Sequence, residues 1–178
     1  MNAVVLALIA ALAAPTAAAQ PADVAAIQAR EARNADARTL AALERFRAAL
    51  VKRFGGDPGL TMLKISESEG EALVVRAGGS PEHVIWQGER WIGTDGRQLE
   101  PWASPAIAAT HAFALSQVKA EPVRAWVDAW RKVPGRATDF VTGYAFGYDP
   151  ARSRIGVRAI VGSMTSGRLS EQAFDAGK

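Results

Sequence analysis

The chain has 178 residues, no cysteine, 21 basic against 18 acidic residues and two histidines. The resulting net charge of +3 is spread along the chain with no run of five like charges, so nucleic acid is not expected as a partner. The missing cysteines exclude disulfides, thiolate metal sites and a lipid-acylated cysteine.

Met1 to Ala19 carries no charge and is almost wholly apolar or small. Its apolar run, Val4 to Ala14, followed by Ala17-Ala18-Ala19, reads as an export signal cut after Ala19, although Asn2-Ala3-Val4 lacks the usual basic residue. A membrane-spanning helix needs about 20 strongly apolar residues, and Pro15 and Thr16 interrupt this run. The expected location is therefore periplasmic or secreted, with no integral membrane segment once the signal is removed.

Pro21 to Phe54 reads as helix. Leu40, Leu43, Phe46, Leu50, Val51 and Phe54 form one apolar stripe, and Gly55-Gly56 ends it. The part before Asn34 offers mainly alanine, so residues 20–38 are expected to be a helical lead-in, either mobile or a separate helical turn, with Asp36 or Thr39 as an N-cap. Leu60–Ser66, Glu71–Ala77, His83–Gln87 and Arg90–Ile92 then read as strands of a meander, separated by Glu67–Gly70, Gly78–Pro81 and Gly88-Glu89. In the first strand Thr61, Leu63 and Ile65 share one face. Arg97–Glu100 is a further edge strand closed by Pro101.

Residues 103–121 read as a linker, and His111–Val118 within or beside it fits neither strand nor helix decisively. Glu121-Pro122 opens a second helix, with Val123, Trp126, Val127 and Trp130 on one stripe and Pro134-Gly135 at its end. Asp139 to Gly162 is then a long antiparallel hairpin. Phe140, Thr142, Tyr144, Phe146 and Tyr148 alternate with small residues, and Asp149 to Ser153 makes the turn. Ile155, Val157, Ala159 and Val161 return on one face, and Leu169–Phe174 is a last strand. The aromatic face either packs under the Trp126/Trp130 helix, leaving Gly143 and Gly147 on the open side, or stays exposed as a platform.

The fold class is α+β: antiparallel β-meanders with amphipathic helices packed on one face. Residues 39–102 and 122–178 share the order helix then three strands, which suggests two similar halves. In outline this resembles exported tandem helix-plus-meander modules such as PepSY-type domains and the bacterial β-lactamase inhibitor proteins, a likeness of architecture rather than of motif.

No catalytic residue stands out. Two histidines without cysteine do not make a zinc site, and no loop has calcium, phosphate-binding or nucleophile-elbow spacing. Ser116-Gln117-Val118-Lys119 matches the Ser-x-x-Lys pattern, but its companion elements are missing and a helix-start serine with an exposed lysine explains it. No metal or other cofactor is expected. Trp86, Arg90, Trp91 and Trp102 cluster at turns, where rings are exposed and suited to recognition. The expectation is thus a non-enzymatic accessory or inhibitor-like domain that binds another envelope protein. The alternative is a small-molecule or peptidoglycan-fragment binding domain. The third reading is an enzyme using His83 or His111 with a serine and an acid.

Overall fold

The computed structural model describes residues 21–75, 81–94, 112–149 and 154–175. The signal, the Arg97–Glu100 strand, Trp102, His111 and the first part of the linker lie outside these residues. Two α-helices, α1 (Pro21–Phe54) and α2 (Ala120–Arg131), pack on one face of an antiparallel sheet. The strands are β1 (Gly59–Ser66), β2 (Glu69–Val75), β3 (Glu82–Gln87), β4 (Arg90–Ile92), β5 (Phe113–Ala114), β6 (Asp139–Asp149), β7 (Arg154–Ser163) and β8 (Leu169–Asp175). They run β4-β3-β2-β1-β6-β7-β8 across the sheet, and β5 adds a short pairing to β1.

The first helix is unbroken from Pro21 to Phe54. Asp36 and Thr39 therefore lie inside it and cap nothing; both are buried and serve the sheet instead. Leu40, Leu43, Phe46 and Leu50 form the stripe that meets the sheet, while Val51 is exposed. The second helix starts two residues before Pro122, which sits in the first turn, where its missing N–H costs no bond. Val123 and Val127 are buried against the same core. The ambiguous stretch after His111 resolves into β5 and one 3₁₀ turn, Leu115–Gln117.

Two bulges revise the sequence pattern. In β1 the register shifts between Leu60 and Met62, so Leu60 rather than Thr61 joins Leu63 and Ile65 in the core. In β6 it shifts between Val141 and Gly143. Val141, Tyr144 and Phe146 then face the helices, and Phe140 turns to the opposite side, away from the aromatics with which simple alternation grouped it. There its ring covers Gly162, where a Cβ would lie 2.7 Å from ring carbon Cζ. The aromatic part of the hairpin thus packs beneath the helices, since Tyr144 and Phe146 are both fully buried.

Phe46 packs tightly between helix and sheet. Its ring stacks on Trp86 at 5.9 Å between centroids and lies over Gly70, where a Cβ would come within 2.5 Å of the ring. Gly70→Ala is expected to cost about 1–3 kcal/mol in urea unfolding, because the overpacked ring must move. In a Phe46→Leu background the same change should cost clearly less. Equal costs in both backgrounds would show that the Phe46–Gly70 contact is not limiting.

Candidate functional site

Of the residues singled out for recognition, Trp86 sits at the edge of the core, paired opposite Trp91 across β3 and β4. Trp91 is half-buried. The Arg53 guanidinium lies 4.5 Å from its ring centroid and 5.3 Å from that of Phe54, and Arg53 Nη2 donates to Glu82 Oε1 at 2.7 Å. This stack closes the C-terminal end of α1 onto the sheet. Arg90 is exposed beside it on β4. The structure therefore brings Trp86, Arg90 and Trp91 together, with Trp86 turned inward. Trp126 and Trp130 stack at 5.5 Å on α2, half-buried, and Trp130 Nε1 donates to the buried Asp139 carboxylate at 3.1 Å. Arg136 reaches the same carboxylate at 3.2 Å and lies over the Trp130 ring.

Ser116 donates from both N and Oγ to the Asp57 carboxylate, at 2.7 and 2.6 Å. These bonds, the hydroxyl first, hold the Asp57 pKa below the usual carboxylate range. Ser116 is in the 3₁₀ turn while Lys119 is extended before α2, so the two do not share a helical turn as Ser-x-x-Lys chemistry requires. His83 Nε2 lies 2.8 Å from Glu71 Oε1, both largely buried. Among the described residues no group of His, Asp or Glu could hold a metal ion, and no described helix is long and apolar enough to cross a membrane.

A buried polar cluster joins α1, α2 and β6. Asp36 Oδ1 accepts the Val141 N–H at 2.7 Å, and the Thr39 hydroxyl donates to the Val141 carbonyl at 3.1 Å. Arg131 from α2 donates to Asp36 Oδ2. Burial outweighs these partners and pushes the Asp36 pKa from 3.8 up to about 6, with Asp128 adding to the rise. The Tyr144 hydroxyl is buried nearby, and desolvation, then the Asp36 charge, raises its pKa well above the ordinary value. Asp36, Thr39 and Arg131 tie one element to another here, while the Tyr144 hydroxyl and Arg131 Nε are buried with no hydrogen-bond partner.

The face of the sheet away from the helices is different. A half-open trough of about 550 Å³ lies there, with Gly143 and Ala145 on its floor and Lys64, Glu71, Arg158 and Glu171 among its walls. Arg158 Nη1 is 3.3 Å from Glu171 Oε1. Ile160 in the trough's lining and Leu169 beyond it are 43 and 68% exposed. Sequence reasoning marked Gly143 as lying on an open side but missed the grouping of these charged residues. They come from β1, β2, β7 and β8, and only the strand order puts them in one place. Comparison of the chain with family models, with curated proteins and with solved structures yields no match.

Two expectations separate packing from recognition. Trp86→Ala should lower unfolding free energy by about 3–5 kcal/mol, whereas Arg90→Ala should stay within about 0.5 kcal/mol; similar small effects would place Trp86 outside the core. The raised Asp36 pKa means that the folded state prefers the protonated acid. Its stabilising contribution is full below the unfolded pKa near 3.8 and is lost as pH rises through about 6. Relative to wild type, Asp36→Asn should therefore flatten the fall in stability between pH 4 and pH 7, read from urea midpoints. An unchanged slope would remove Asp36 as its source.

Proposed function

We propose that this protein is an exported, non-enzymatic accessory or inhibitor-like domain that binds another protein of the cell envelope through the face of its sheet opposite the two described helices. One observation carries the reading. Both helices cover the same face, and the opposite face over β1, β6, β7 and β8 combines a trough, charges of both signs and exposed apolar side chains. Such a mixture suits a protein interface, where apolar contacts sit among polar groups. The chain order supports a further point. Helix α1 precedes β1–β4, α2 precedes β6–β8, and β1 pairs with β6 in the middle. We read these as two halves of similar order, a helix followed by antiparallel strands, sharing one binding face.

The trough's volume favours a second reading, in which a small molecule or peptidoglycan fragment is the ligand. Affinity capture from the producing cell's envelope separates the two. Tagged protein is compared with an Ile160→Asp/Leu169→Asp double variant and with Trp126→Ala on the helix side, each first checked for folding by circular dichroism. A partner held by wild type and Trp126→Ala but lost by the double variant is the expected result. A partner retained by the double variant would move the interface elsewhere. No partner with any form, together with a thermal shift from a cell-wall fragment, would establish the small-ligand reading instead.

A further inference from the structure

The buried joint between the two helices has two unlike hydrogen bonds at one carboxyl group. Asp36 Oδ1 accepts the Val141 N–H at 2.7 Å, and Oδ2 accepts from Arg131, the last residue of α2. A protonated carboxyl keeps one oxygen as its good acceptor and turns the other into a donor. The Val141 amide holds Oδ1 in the acceptor role, so the proton belongs on Oδ2. Its O–H then meets the Arg131 N–H, donor against donor. The Tyr144 hydroxyl is buried near this carboxyl, has no hydrogen-bond partner among the described residues, and offers the new O–H an acceptor.

Arg131 has an alternative position. Its Nε is buried without a partner among the described residues, a cost that contact with solvent removes. Asp128 is exposed three positions earlier on α2, a spacing at which helical side chains meet. The remaining carboxylate at this end of β6, Asp139, is held separately by Trp130 and Arg136. Burial, with a smaller contribution from the Asp128 charge, brings the Asp36 pKa to about 6 against the opposing pull of the Val141 bond and Arg131. Its proton is therefore exchanged in a mildly acidic range. Linkage gives the direction. Contact with Arg131 lowers the affinity of Asp36 for a proton, so binding a proton weakens the contact with Arg131 by the same factor.

We propose that Arg131 is a proton-operated clasp between the helices: it holds Asp36 while that carboxylate is charged and turns to Asp128 when it is protonated, untying the C-terminal end of α2 from α1.

The test is a pH titration of the full chain between pH 5 and pH 7.5 by nuclear magnetic resonance. It follows the Arg131 Nε–H signal, its ¹H–¹⁵N NOE and the Asp36 Cγ shift together. Arg131 is expected to be ordered at pH 7.5 and to lose that order at pH 5, with one midpoint near pH 6 shared by the Asp36 Cγ shift. Asp36→Asn keeps an acceptor for Val141 and presents a fixed donor to Arg131, so it should leave Arg131 released at both pH values. Asp128→Asn should lower the midpoint, since the Asp128 charge favours the proton. An Arg131 signal that stays ordered in folded Asp36→Asn would overturn the proposal, as would an unaltered Arg131 transition in that variant. Should Asp36→Asn not fold, the wild-type titration decides alone: an Asp36 Cγ shift that titrates while Arg131 stays ordered, or that shows no transition in this range, would overturn it equally.

Discussion

The arrangement depends on how α1 satisfies the backbone of β6 where no strand can. The neighbour β1 reaches along β6 only from Gly147 to Gly143, so Val141 has no strand partner on that side. Buried N–H and C=O groups must nevertheless be paired. Asp36 and Thr39, three apart on one face of α1, supply an acceptor and a donor to that single residue. The helix thereby acts as a substitute for a missing strand. Arg131 then neutralises the buried carboxylate and brings the end of α2 to the same point. Removing one member of such a buried pair leaves the other charge uncompensated, which costs more than the pair itself contributes.

This fixed point explains the distribution of large and small residues. With α1 held over β1, β2 and β6, the room between helix and sheet is set. Gly70 is small because Phe46 occupies the space a methyl would need, and Gly143 is small because a Cβ there would lie 2.8 Å from the Ile65 carbonyl. The aromatics Tyr144 and Phe146 fill the layer between helix and sheet. Trp86 and Trp91 close one end of it, with Arg53 stacked on the outer ring.

Both described helices lie on one face of the sheet, and the opposite face is built differently. Its small residues lie on β6, flanked by long charged side chains on β1 and β7, so the surface dips at the centre of the sheet. A dip made by strand backbone is stiff, since each strand there is paired on both sides. A preformed surface loses less ordering entropy on binding than a loop would. This is why we place recognition on the sheet rather than at its turns.

Periodicity alone determined the α+β class, the apolar stripe of α1, the approximate spans of the meander strands and the long hairpin. These follow from apolar spacing and turn residues within a few positions of one another. What it could not determine were the consequences of contacts distant in sequence. A bulge adds one residue without changing local composition, yet it moved Phe140 to the opposite face and put Leu60 in place of Thr61. Trp86 reads as a turn-side ring until β4 and Phe46 are folded against it. Asp36 reads as a cap because its partner, Val141, is 105 positions away. The trough is hidden for the same reason: its residues are ordinary in each strand, and only cross-strand register brings them together.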